Sequence, residues 1–368
     1  MKKILFLIHD LGQGGAEKVL VNLVNHMDPR KFDITVLSLF DVGVNRQFLA
    51  EHIHYKYCFR RMIRGNTHLM KCLSPKQLHQ WLIKDRYDIE ISFLEGPCAR
   101  MISGCPHKET KLLTWIHCTI QSKKMLSASF RSQKEALHCY NRMDTMVFVS
   151  RSVLQAFTKF CPTKNNIVLY NTNQSDLILS KAQEPLPTPF PAAKFHWCGI
   201  GKLEENKGFD RMLRIHKRLL EDGYDIHYHI LGIGSLETNL KAWCREQGLC
   251  DHVSFEGYQT NPYTFLRHCD FYACASYSEG FSTAATEALI VGTPVCTVEV
   301  SGMKEMLGTN NEYGIVTKND ENALYEGIKS LLDDPVLLQH YTNQACLRGK
   351  DFSTEETVRA VEDMLFSL

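Results

Sequence analysis

No stretch of the 368 residues sustains the run of roughly 18 to 20 apolar residues that a bilayer-spanning helix requires. The apolar opening, Lys3 to His9, is also too short for a signal-peptide core and lacks a small-residue cleavage site, so it is expected to be a strand. The fourteen cysteines are scattered, none forms a Cys-x-x-Cys pair, and a chain of this size has no need of disulfide staples. Reduced thiols in a cytoplasmic protein are the simpler account. Net charge is nearly absent too: 42 basic against 41 acidic residues give +1, which excludes a globally basic nucleic-acid binder. There is no internal repeat and no low-complexity tract.

What is present is a globular composition, 44% hydrophobic and 23% charged, on a chain long enough for two domains. The charge is unevenly spread. From His52 to Lys84 there are seven Lys/Arg (Lys56, Arg60, Arg61, Arg64, Lys71, Lys76, Lys84) and no acid, interleaved with Tyr55, Tyr57, Phe59, Met62 and Ile63. Such a stretch suits an anionic membrane surface or acidic substrate groups; the alternative is a solvated face with counter-charges drawn from elsewhere.

Short β-branched runs alternate with helical patterns throughout, the signature of βαβ units around parallel sheets. The first half offers strands at Ile4–Ile8, Ile34–Leu39, Ile89–Phe93, Leu112–Ile116, Met146–Val149 and Ile167–Leu169. Four alternating prolines in Glu184–Pro191 then read as a stiff linker. We therefore expect an acceptor-binding domain over 1–183, a linker over 184–193, and a second domain over 194–352. The second domain repeats the pattern, with strands at Phe195–Ile200, Ile226–Leu231, Val253–Phe255, Phe271–Ala275 and Pro294–Val298. A final helix over 353–368 has capping-box spacing at Ser353 and Glu356.

Ser278 to Pro294 is the most informative segment. It follows a strand, turns at Gly280 and enters a helix, so the first-turn amides near Phe281, Ser282, Thr283 and Ala284 favour a phosphate. Glu279 stands just outside the helix and Glu287 over a turn inside it; a carboxylate accepts two hydroxyl hydrogen bonds and suits vicinal sugar hydroxyls. Taken alone, the two acids would equally serve as a loop charge and a helix-dipole partner.

The segment strongly resembles the E-x7-E motif of the retaining glycosyltransferases of family four. Glu279, Gly280, Phe281, Glu287, Ala288, Gly292, Pro294 and Val295 match, and Ser282 replaces the motif's second glycine. The resemblance implies the GT-B fold, two Rossmann-like domains facing across a cleft with the final helix, 353–368, packing back on the first domain, and it places Glu279 on donor-sugar hydroxyls and Glu287 on the nucleotide ribose. Gly201–Gly208 resembles the family's Gly-Arg-Leu-x3-Lys-Gly, implying that Lys202 and Lys207 hold the donor diphosphate and stabilise the leaving group; lysine in place of arginine keeps the charge and loses the bidentate fork. Gly12–Glu17 fails the dinucleotide fingerprint because Glu17 occupies the third glycine position, but resembles the family's Gly-Gly-x-Glu loop and places Gly14 and Gly15 near the donor. His117, at a strand end, corresponds to a histidine beside the reacting sugar. Asn171 sits where the family has Asn-Gly, with Thr172 instead of glycine.

The expected reaction is hexose or N-acetylhexosamine transfer from a nucleoside diphosphate sugar, with UDP as the family prior, to a hydroxyl of a glycan or lipid-linked glycan. Glu279, His117 and Lys207 are the candidate catalytic residues. Retention is expected by front-face displacement, and no cofactor is expected beyond the donor substrate. No Asp-x-Asp is present, and the His52/His54 and His227/His229 pairs read as faces of strands, so no metal site is expected. The chain is placed in the cytoplasm, peripheral at the inner face of the plasma membrane. A nucleotide-sugar epimerase or a non-catalytic partner subunit of a membrane transferase remain the alternatives.

Overall fold

The computed structural model describes residues 1–12, 14–62, 65, 70–277, 281–300 and 302–368. Contacts divide the chain into two compact units, Met1–Asn173 with Thr354–Leu368, and Gln174–Ser353.

The first unit is built on β1 (Lys2–Ile8), β2 (Phe32–Phe40), β3 (His54–Phe59), β4 (Ile89–Ser92), β5 (Lys111–Ile116), β6 (Thr145–Phe148) and β7 (Asn166–Val168). They form one sheet in the order β3-β2-β1-β4-β5-β6-β7, every pairing parallel. Ile4, Leu5, Phe6, Leu7 and Ile8 are fully buried, as expected for a central parallel strand covered on both faces. Order reverses between β1 and β4, and such a reversal opens a crevice beyond the carboxyl ends of the strands.

The second unit repeats the plan with β8 (Phe195–Ile200), β9 (Ile226–Leu231), β10 (Val253–Gly257), β11 (Phe271–Cys274), β12 (Val295–Val298) and β13 (Ile315–Thr317), in the order β10-β9-β8-β11-β12-β13. Its switch point lies between β8 and β11. Trp197 on β8 stacks on Tyr228 of β9 at 4.0 Å and anchors the core.

Three expectations change. The change of unit falls between Asn173 and Gln174, because the helix Ser175–Ala182 packs on helices Tyr263–His268 and Thr283–Val291; the prolines of 184–191 thus lie inside the second unit. Two strands, β3 and β13, were not marked by alternation: β3 sits within the basic stretch as an edge strand, and β13 has only three residues. Of the first histidine pair only His54 is in a strand; His52 precedes it in a turn. The helix Thr354–Ser367 belongs to the first unit, where Glu362 accepts the Asp28 amide at 2.7 Å and the Lys31 ammonium at 2.9 Å.

Candidate active site

In the second unit, both loops at the switch point carry residues singled out above. After β8 the chain passes Gly201 and Lys202 into the short turn Glu205–Lys207, closed by Gly208 at φ +66°. A Cβ on Gly208 would stand 2.2 Å from the Ala275 carbonyl oxygen, so glycine is required both by the turn and by its approach to the strand β11 exit. Lys202 is exposed and Lys207 half-buried, its stem against Gly201.

After β11 the helix Thr283–Val291 begins, with Ser282 as its N-cap. Ser282 Oγ accepts the Ala285 amide at 3.3 Å at an ordinary φ of −73°. Glycine is therefore not needed here, and serine adds a cap that glycine lacks. The amides of Thr283 and Ala284 belong to the turn that has no intrahelical acceptors, beside the positive end of the dipole. Glu287 is buried within this helix and accepts the Tyr263 hydroxyl at 3.2 Å. Glu279 and Gly280 lie outside the described residues, but the strand exit leading to them is braced: the buried Arg211 guanidinium donates to the Ala275 carbonyl and to Asn319 Oδ1, and lies 4.5 Å from the Tyr277 ring. Phe281 is buried and packs on Phe352 at 5.9 Å.

In the first unit the switch-point loops follow β1 and β4. Beyond β1, Asp10 Oδ1 accepts the Gly12 amide at 2.8 Å, Asn45 donates to the Gly12 carbonyl, and Gly43 at φ +123° passes so close to Leu11 that no side chain fits. Gly14 is the N-cap of the helix Gly15–His26 and lies under the Glu17 carboxylate, where a Cβ would meet Glu17 Oε2 at 2.1 Å. His117 follows β5. Its ring packs on Phe93 at 4.9 Å, and burial holds the imidazole at about 4, well below the ordinary histidine value, against the opposing pull of the Glu95 carboxylate. It is neutral at physiological pH, and its Nε2 is buried without a hydrogen-bond partner. Asn171, after β7, has its Oδ1 in the same condition. The carboxyl edge of this sheet thus carries two orphaned polar atoms, on the exits of β5 and β7, each able to bond a polar group of a ligand.

Sequence reasoning passed over Glu95, Tyr263 and Arg211. Glu95 carried a visible signal, a Gly-Pro step directly after a strand. Tyr263 and Arg211 had none, because their partners, Glu287 and Ala275, lie 24 and 64 residues away in sequence.

Among the described residues, one group places metal-ligand atoms together: His79, Glu90 and Cys105, within 4.8 Å of one another and all buried. The His79 Nε2 to Glu90 Oε2 separation of 2.7 Å is a hydrogen bond, shorter than the ~3.3 Å that two ligands of one tetrahedral ion adopt. The group lies toward the amino end of β4, remote from the switch-point edge. His227 and His229 share a face of β9 and are satisfied by Ser254 and Glu256, both at 2.9 Å.

The basic stretch is partly compensated. Lys56 pairs with Asp85, Lys71 donates to the Ala128 carbonyl and Lys84 to that of Gln80. Arg60 and Arg61 are exposed beside Met62, with Tyr57 and Trp81 also about half exposed. Arg64 and Ile63 are outside the described residues. No helix among those described is long and apolar enough to cross a membrane.

Two family models match the chain in tandem, "Glycosyltransferase Family 4" over residues 13–172 and "Glycosyl transferases group 1" over 180–348. The Campylobacter jejuni N-acetylgalactosamine-N,N'-diacetylbacillosaminyl-diphospho-undecaprenol 4-alpha-N-acetylgalactosaminyltransferase is 28% identical over 98% of each chain. The Rhizobium meliloti lipopolysaccharide core biosynthesis glycosyltransferase LpsD is 24% identical over 90% of this chain and 88% of its own. Among solved structures, Anabaena HepE in complex with UDP and glucose matches with TM-score 0.78 at 19% identity over 100% of both chains. The lipopolysaccharide outer core galactosyltransferase WaaB matches with TM-score 0.76 at 17% identity over 100% of this chain and 99% of its own. With two parallel-sheet units each matched by its own model, the chain belongs to the family four glycosyltransferases of GT-B fold.

Proposed function

We propose that the protein transfers a hexose or N-acetylhexosamine from a UDP-sugar, with retention of anomeric configuration, to a hydroxyl of a lipid-linked glycan at the inner face of the plasma membrane. The observation that carries the reading is the second switch point: a capped helix N-terminus, the Lys202–Lys207 turn, in which Glu204 is engaged by Ser235, and the buried Glu287 lie at the loops of β8 and β11. In this reading Lys202, Lys207 and the amides of Thr283 and Ala284 hold the diphosphate. Glu287 takes the ribose hydroxyls and Glu279 the sugar hydroxyls, while Phe281 and Ser282 shape the turn. Gly14 and Gly15 leave room for the donor sugar, and the neutral His117 offers it a hydrogen bond. The lysines and helix dipole offset the charge of the leaving group, so a divalent metal is not needed for that task.

As the anomeric carbon–phosphate oxygen bond breaks, the acceptor hydroxyl bonds to the same face and its proton passes to the departing phosphate. The acceptor class rests on the relatives, which include an enzyme named for a diphospho-undecaprenol substrate, and on the exposed Arg60, Arg61, Tyr57 and Trp81.

Thermal shift against a panel of nucleotide sugars is the direct test: one UDP-sugar should raise Tm, since ligand at 100 times its Kd stabilises by about 2.7 kcal/mol. NMR of the product then reads the anomer. No response to any UDP-sugar, or an inverted product, would overturn the assignment. Flotation with anionic vesicles, compared with R60Q/R61Q, tests the membrane component; equal flotation of both proteins removes it.

A further inference from the structure

We propose that Glu95 is a positioning residue for His117, and so for the donor sugar, a role that rests on the transferase reading above. Glu95 leaves β4 at the first unit's switch point. The chain exiting this strand grips His117 twice: Phe93 packs against the imidazole at 4.9 Å, and Glu95 Oε2 accepts the His117 backbone amide at 3.0 Å. One contact sets the ring and the other the backbone from which it projects, leaving Nε2 buried with no protein partner.

The turn that carries Glu95 is itself built for a fixed position. Gly96 adopts φ +81° and ψ −122°, a conformation that side-chain-bearing residues rarely reach, and a Cβ there would crowd Ser129 Oγ at 3.0 Å. Its amide donates at 3.2 Å to the hydroxyl of Tyr140, which is wedged between Phe130 and Phe157 in the core. Pro97 then starts the helix Pro97–Ile102 in the first-turn position it favours. The carboxylate is thus referenced to the buried aromatic cluster through one glycine.

Glu95 is also the charged group that acts on the His117 ring, favouring its protonated form, and it faces the neighbouring, exposed Cys118 thiol. A simple strand-end cap would need neither the glycine-only turn nor the second grip through Phe93. A misplaced contact group costs rate rather than fold, by up to about a hundredfold for 1 Å.

The experiment compares Glu95→Ala, Glu95→Gln and Glu95→Asp with wild type and His117→Ala in steady-state transfer, with Tm measured alongside. Glutamine keeps an acceptor oxygen at the same reach; aspartate keeps the charge but falls one methylene short. Expected are a kcat loss of roughly tenfold to a hundredfold for E95A and E95D, acceptor KM unchanged, and E95Q close to wild type. If E95A does not fold, the E95Q and E95D pair carries the test. Loss of Tm without loss of kcat in any folded variant would make Glu95 a strand cap only, and an active E95D with an inactive E95Q would make its charge, not its bond, the operative feature; either overturns the proposal. Wild type without transfer to any acceptor would instead fail the transferase reading, which separates the two.

Discussion

The two sheets set different side chains at their switch points, although the second is not of one sign, since Glu204 and Glu205 stand between its lysines. In the second unit the loops after β8 and β11 bring Lys202, Lys207 and the positive end of the helix Thr283–Val291. In the first, the loops after β1 and β4 bring Asp10, Glu17 and Glu95, with an imidazole that burial keeps neutral. Two ammonium groups beside a helix dipole can meet phosphate charge, whereas carboxylates and a neutral imidazole can meet hydroxyls. One topology, used twice, has therefore been given two chemistries by the residues following two strands in each sheet.

Removing an ammonium from the second unit's switch point should break this contrast most severely. Lys207→Gln is expected to lower kcat by about 10²–10³, the range for deleting one group that stabilises developing charge, with Tm little changed. A smaller effect is expected from Glu287→Gln, which keeps the Tyr263 contact but weakens ribose binding: donor KM should rise by about tenfold, on the scale of one charge-assisted hydrogen bond. Isothermal titration with UDP alone checks it, because the loss must persist without the sugar.

Ser282 sharpens the comparison at the level of stability. Ser282→Ala should cost about 1 kcal/mol and Ser282→Gly, the residue of the family pattern, only a few tenths; denaturant unfolding distinguishes them. Equal costs would show that the hydroxyl does not act as a cap.

The subtlest contrast is in acid. Burial depresses His117 to about 4 in the first unit, and His216 and His227 to about 3 in the second. Each takes up a proton on unfolding wherever pH lies between its folded value and the ordinary 6.5. The unfolded state then binds more protons, so stability is full above 6.5 and falls as pH drops through that window. His196 in the second unit is also lowered, by burial first, so with three such histidines against one the second unit should lose protection first. Hydrogen exchange at pH 7 and pH 5, resolved by peptide, reads this directly; faster opening of the first unit would refute it.

The second unit's candidate site was far more legible in the sequence than the first unit's. Gly201–Gly208 and Phe281–Glu287 are contiguous motifs whose turn geometry and capping are local, so their residue types carry the chemistry with them. The first unit assembles its edge from residues as distant as Asp10, Glu95, His117 and Asn171, each on a different strand exit. No local spacing announces such a set. The His79–Glu90 pair and the Tyr263–Glu287 contact were hidden for the same reason.

Alternating apolar runs and turn residues by themselves determined two parallel α/β units, because a strand buried on both faces must be apolar throughout and a tight turn must find glycine. The sequence alone also determined the donor-type motifs. The return of the last helix to the first unit was expected from the family resemblance, whereas only tertiary structure decided where the units divide and that Glu95 reaches the His117 amide. Those depend on which surfaces exclude water together, a property of the whole folded chain rather than of any stretch of it.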